Sequence, residues 1–142
     1  MKLHVSLKVE DLQAGTSFYS TLFGQAPSIE KPDYVKWDVQ DPPVNFVIEP
    51  VDEREPSAGL SHLGVQVGDE SELDQLSARI RETGHSFTDV AAATCCYARS
   101  DKAWVKGAAD EKWEAFLTHS HDEDEYGEDR EVLLDQMPQR VG

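Results

Sequence analysis

Leu3-His4-Val5-Ser6-Leu7-Lys8-Val9 alternates apolar and polar residues, the pattern of a strand that buries one face. The alternation returns 58 positions later, without a gap, in Ser61-His62-Leu63-Gly64-Val65-Gln66-Val67. Histidine falls on histidine, and the Asp11 that follows the first copy falls on Asp69. In both copies the histidine lies on the face opposite the apolar stripe, because side chains alternate across a strand.

A helical pattern follows each copy. Asp11 is placed to cap the first, which carries Leu12, Phe18, Tyr19 and Leu22 and stops at Gly24. Ser71 is placed to cap the second, which carries Leu73, Leu76 and Ile80 and stops at Gly84. Strands come next in both halves. The first half predicts Tyr34 to Val39 and Val44 to Glu49 around the turn Asp41-Pro42-Pro43. The second predicts Phe87 to Ala91, Cys95 to Arg99, Ala103 to Lys106 and Lys112 to Thr118, the last two joined by the turn Gly107-Ala108-Ala109-Asp110. A Pro/Glu/Ser-rich linker, Val51 to Gly59, separates the halves. The expectation is an α+β chain of two βαβββ modules, residues 1–55 and 56–119, with an acidic tail over 120–142. Helices would cover one face of each sheet, and the other faces would form a shared cleft that receives His4 and His62.

Composition narrows the class of partner. Thirteen basic against 28 acidic residues give a net charge of −15, which repels nucleic acid and anionic lipid. No apolar run is long enough to span a bilayer. The N-terminus shows no basic region followed by an apolar core and small-residue cleavage site. A cytoplasmic protein with reduced thiols is therefore expected. Two modules in one chain let the cleft form within a monomer, and a homodimer is equally compatible.

The candidate chemistry lies in two groups. His4 and His62 are brought together by the repeat, and Glu114 lies on the last strand opposite Trp113 and Ala115, with Phe116 on its own side. A buried carboxylate has a partner as a rule, so Glu114 either pairs with Lys102 or Lys106 or acts as a third ligand. Two His and one Glu form the open facial triad of non-haem Fe(II) oxygenases. The position that the repeat offers for a fourth ligand is near Asn45, a poor donor to a transition metal. The second group is Cys95 and Cys96, the only cysteines. Adjacent Cα atoms stand about 3.8 Å apart, closer than the roughly 4.4 Å at which ordinary disulfides begin. The pair is either two small buried hydrophobes or a chelate for one soft, thiophilic atom. His85 reads as a loop residue, and His119 and His121 read as solvated.

These residues carry a resemblance. The repeated unit with His4, His62 and Glu114 resembles the vicinal oxygen chelate superfamily of glyoxalases, extradiol dioxygenases and bleomycin-resistance proteins. Phe18-Tyr19-Ser20-Thr21-Leu22-Phe23-Gly24, Asp41-Pro42-Pro43, His62-Leu63-Gly64-Val65, Thr94-Cys95-Cys96-Tyr97-Ala98, Asp101-Lys102-Ala103-Trp104-Val105 and Trp113-Glu114 are similar to one narrower family. That family is the carbon-arsenic lyases, which include cadmium-induced proteins. The resemblance implies His4, His62 and Glu114 as Fe(II) ligands and Cys95 and Cys96 as the pair that binds arsenic. It implies a trivalent organoarsenical and dioxygen as substrates and arsenite as product. The chain departs from the family at Gly107-Ala108-Ala109-Asp110-Glu111-Lys112, where Pro-Gly-Gly is usual, and in its acidic tail. Two other functions fit the same residues. One is a non-catalytic protein for Cd(II) or a similar soft cation; the other is a different ring-cleaving or isomerising metalloenzyme of the superfamily.

Overall fold

The computed structural model describes residues 1–84, 87–95 and 98–120, with side chains over 1–84 and 102–117. It divides into two compact units, one of Lys2–Leu63 and one of Gly64 onward with Met1.

In the first unit, strands β1 (Lys2–Val9), β2 (Ile29–Lys31), β3 (Tyr34–Gln40) and β4 (Pro43–Pro50) lie in the order β2-β3-β4-β1. The β1–β4 pair is parallel and the β3–β4 pair antiparallel. A parallel pair needs a crossover, supplied by helix α1 (Leu12–Phe23). Asp11 caps α1 by accepting from the Ala14 amide at 3.0 Å. Gly24 ends it at φ 67, a left-handed turn in which the Gln25 amide reaches the Ser20 carbonyl at 3.1 Å. Leu12, Tyr19 and Phe23 of α1 pack with Val5, Leu7 and Val9 against a core of Val35, Trp37, Val39, Val44, Phe46 and Ile48. The Tyr19 and Phe23 rings stand 4.6 and 5.0 Å from Phe46.

Period two then fixes the opposite face. It carries His4, Ser6 and Lys8 from β1, Lys36 from β3, and Asn45, Val47 and Glu49 from β4, all buried. Ser6 Oγ donates to Glu49 at 3.4 Å, and Lys8 Nζ lies 3.9 Å from Glu49 and 3.4 Å from Asp52. This face is polar and buried together, a combination that packing alone does not favour.

Strand β5 (Gly59–Gln66) begins in the first unit and ends in the second, followed by helix α2 (Glu70–Glu82) and strands β6 (Phe87–Cys95), β7 (Ala98–Lys106) and β8 (Lys112–Ser120). The α2 cap is Asp69 and not Ser71: its carboxylate accepts from the Glu72 amide at 2.8 Å, while Glu72 reaches back to the Gly68 amide at 3.1 Å. An aspartate followed three residues later by glutamate satisfies two end donors reciprocally, which a cap at Ser71 would not. The three strands expected between Phe87 and Lys106 are two. Phe87 to Ala91 and the first residue of Cys95 to Arg99 belong to β6, whereas Arg99 and Ala103 to Lys106 belong to β7. A bulge between Val90 and Ala93 absorbs the irregularity that reads as a break in the sequence. Strands β6, β7 and β8 are antiparallel neighbours, in the order β8-β7-β6. Ala103, Trp104, Val105, Ala115 and Phe116 are buried, and the end of β5 is tied to β8 by Val67 N–H to the Phe116 carbonyl at 2.9 Å. The chain is thus α+β with the strand-helix-three-strand order written twice. The acidic residues from His121 on, including the tail expected over 120–142, lie outside the described residues apart from Ser120. No helix among the described residues is long and apolar enough to cross a membrane.

Candidate metal centre

His4 and His62 face each other. Their Nε2 atoms are 3.1 Å apart and their rings 5.1 Å centre to centre, with His4 5% exposed and His62 fully buried. The outer nitrogens settle what that contact is. His4 Nδ1 lies 3.1 Å from the Asn45 carbonyl oxygen, which accepts only, so Nδ1 carries the proton. His62 Nδ1 lies 3.1 Å from Ser61 Oγ, and the Ser61 hydroxyl donates its own proton to Glu55 Oε1 at 3.0 Å. His62 Nδ1 is therefore the donor to Ser61, and its Nε2 bears the lone pair. With Nδ1 protonated on each ring, the two Nε2 lone pairs point toward one another in a buried place. That arrangement suits a shared electrophile, a proton or a metal ion.

The separation suits a metal ion. Two imidazoles bound at about 2.1 Å each and at right angles put their nitrogens ~3.0 Å apart, close to the observed 3.1 Å. Adjacent positions at right angles are what a facial set of ligands requires. The Asn45 carbonyl on one side and the Ser61–Glu55 chain on the other supply the outer contacts that fix ring tautomers in metal sites. The donor set therefore fits a first-row divalent ion.

Glu114 lies in the second unit, on β8, 5% exposed. Lys102 Nζ donates to its Oε2 at 3.3 Å, and the ammonium stands 5.9 Å above the Trp104 ring. The pairing with Lys102 that the sequence offered as one option for Glu114 is thus present. The contact engages Oε2 of the buried carboxylate, so any metal ion taken up by Glu114 shares it with the Lys102 ammonium. Cys95 is the last residue of β6, in register with Ala98 of β7. Its side chain, and all of Cys96, fall outside the described residues.

Three contributors escape the sequence reading. Asn45, set aside there as a poor ligand, acts through its backbone carbonyl. Ser61 acts through the hydroxyl next to His62, and Glu55 sits in the segment that reads as a linker. That segment is folded. Asp52 accepts from the Arg54 and Glu55 amides at 2.8 and 2.9 Å, closing a turn that presents Glu55 to Ser61. Burial works to raise the Asp52 carboxyl, but the Glu55 and Arg54 amides and the Lys8 ammonium outweigh it and hold the group below its ordinary value.

Comparison with known proteins agrees with the fold. The Glyoxalase/Bleomycin resistance protein/Dioxygenase superfamily model matches residues 3–121. The trivalent organoarsenical cleaving enzyme of Thermomonospora curvata is 36% identical over 117 residues, covering 82% of this chain and 76% of that protein. The cadmium-induced protein CadI of Mycobacterium tuberculosis is 37% identical over 117 residues, covering 81% of this chain and 74% of its own. Among solved structures, an extradiol ring-cleaving dioxygenase from B. fuscum superposes with a TM-score of 0.63 at 20% identity, over 83% of this chain and 32% of that one. Methylmalonyl-CoA epimerase from Mycobacterium tuberculosis does so with a TM-score of 0.59 at 18% identity, over 82% of this chain and 87% of that one. Shared sequence over most of its length and a shared fold make this chain a member of the glyoxalase/bleomycin resistance protein/dioxygenase superfamily.

Proposed function

We propose that this protein is a cytoplasmic Fe(II)-dependent enzyme that cleaves the carbon-arsenic bond of trivalent organoarsenicals, using dioxygen and releasing arsenite. The observation that carries the reading is the confrontation of the His4 and His62 Nε2 lone pairs at 3.1 Å, each fixed from behind. A relative 36% identical and named for organoarsenical cleavage supports the substrate class.

In this reading His4, His62 and Glu114 hold the metal ion, the histidines from the first module (residues 1–55) and the opening strand of the second (56–119), and Glu114 from its last. Bound Fe(II) supplies the dioxygen chemistry that breaks the carbon-arsenic bond. The protein's own part is binding and orientation. Cys95 and Cys96 each displace one oxygen of a methyl- or aryl-arsenite; two As–S bonds form, two As–O bonds break, and the two thiol protons leave with the oxygens as two waters. The carbon substituent stays on arsenic. Holding that bond in one orientation turns an encounter into an effectively unimolecular step. Thiolates are the reacting form, and a reducing cytoplasm keeps both thiols available.

The test is to load reduced protein with Fe(II) under anaerobic conditions, add methylarsenite, admit oxygen and follow arsenic speciation. Inorganic arsenite is expected only with iron and oxygen together. Cys95→Ser is expected to abolish its release while leaving metal affinity unchanged. Methylarsenite and phenylarsenite both bound but intact would overturn the lyase reading and favour a soft-cation binding protein, to be checked by cadmium titration.

A further inference from the structure

A lysine ammonium 5% exposed inside a protein is costly, and replacing a buried ion pair with apolar residues is often neutral or stabilising. The Lys102–Glu114 pair therefore calls for a reason other than stability. Strand register gives its placement: Lys102 is opposite Phe116 and Trp104 opposite Glu114, so Lys102 stands one diagonal step from Glu114. The first unit repeats the step. Lys36 is opposite Val47 and Asp38 opposite Asn45, so buried Lys36 stands one diagonal step from Asn45. Asn45 is the position at which the repeat offers its fourth ligand. Each half thus sets a buried lysine beside its ligand position on the last strand, and in the second half that position is a carboxylate with which the lysine pairs.

We infer that Lys102 is the positioning residue of the metal centre: its ammonium engages Oε2 of Glu114, so that a metal ion takes the carboxylate through Oε1 alone. The inference rests on the metal-centre reading above. A carboxylate that binds through both oxygens would occupy one more position on the ion. Held by Lys102, it occupies one, and the His4, His62 and Glu114 set keeps three positions for substrate and dioxygen. The arrangement trades affinity for openness, because Lys102 repels the incoming cation and competes with it for Glu114. Removing Lys102 lifts that repulsion and its hold on Oε2. Metal binding tightens while turnover falls.

The test uses Co(II) as the probe metal, with affinity read by chelator competition on the full chain. Lys102→Met is expected to bind Co(II) at least about tenfold more tightly than wild type, the effect of removing one nearby like charge. In the Fe(II) enzyme its kcat on methylarsenite is expected to fall at least about tenfold, with KM within about threefold. Lys102→Arg, which keeps the charge, is expected to stay within about threefold of wild-type Co(II) affinity. If melting curves show that Lys102→Met does not fold, Lys102→Gln takes its place with the same expectation. Wild-type binding with unchanged or weaker binding by the uncharged variant overturns this inference and leaves the metal centre standing. Failure of wild type to bind Co(II) overturns both.

Discussion

Ser61 decides which nitrogen of His62 carries the proton. Its hydroxyl gives its hydrogen to Glu55 and its lone pair to His62 Nδ1, so one side chain sets the tautomer of the next. Ser61→Ala removes the acceptor and frees the ring to turn or change tautomer. Loss of such an outer contact weakens metal binding by about 10- to 100-fold in known sites, and the same range is expected here for Co(II) measured by chelator competition. Ser61 is 7% exposed and small, so the fold tolerates the change. An unchanged affinity would remove Ser61 and Glu55 from the metal centre. His4 offers an internal comparison. Its Nδ1 is held by a backbone carbonyl, and no side-chain substitution at Asn45 deletes that acceptor.

At the scale of elements, strands β1 and β5 are legible because alternation marks a strand with two unlike faces, although in β1 it is the polar face that is more deeply buried, and their shared histidines mark the repeat. The courses of β6 and β7 are not, because the irregularities between Val90 and Ala93 and between Arg99 and Ser100 are settled by pairing with neighbouring strands. Strand β2 is only three residues long and is held by pairing with β3 and by the Ser28 amide on the Lys36 carbonyl at 2.8 Å. The segment from Val51 to Gly59 hides most. Its composition reads as linker, while its physics is a turn built on Asp52 and tied to Lys8. Asp52 is held below its ordinary value of 3.8. A carboxyl depressed by folding contributes stability in full above its unfolded value, and the contribution disappears as pH falls through the lower folded value. Wild type is therefore expected to melt above Asp52→Asn at pH 7, with the gap closing as the solution is acidified below 3.8. A gap that persists in strong acid would assign the effect to lost hydrogen bonds instead of charge. Since Asp52 presents Glu55, the same variant should also weaken Co(II) binding in the direction of Ser61→Ala.

Across the whole molecule, charge sets a problem that the local pairs do not solve. Of the net −15, residues 121–142 carry −6, from eight acidic and two basic residues, and the remainder of the chain carries −9. Besides Lys8–Asp52, which is buried on the lysine side and exposed on the other, ion pairs among the described residues are of two kinds. Lys8–Glu49 and Lys102–Glu114 are buried on both sides and are little affected by salt. Lys2–Asp38 and the Met1 terminus with Glu72 are partly exposed, and such pairs contribute little to stability. Self-repulsion of the acidic excess is long-ranged and acts on the folded, compact state more than on the expanded chain. Salt therefore weakens the repulsion more than it weakens the pairs that matter. Raising NaCl from about 0.05 M to 1 M shortens the screening length from over 10 Å to roughly 3 Å, and the melting temperature is expected to rise by at least about 2 °C. Deleting residues 121–142 should reduce that rise, since it removes six of the fifteen net charges. A melting temperature that falls with salt would mean that exposed pairs outweigh repulsion. The net negative field would then carry no stability cost, and a cation bound at His4 and His62 would gain less from the surrounding charge.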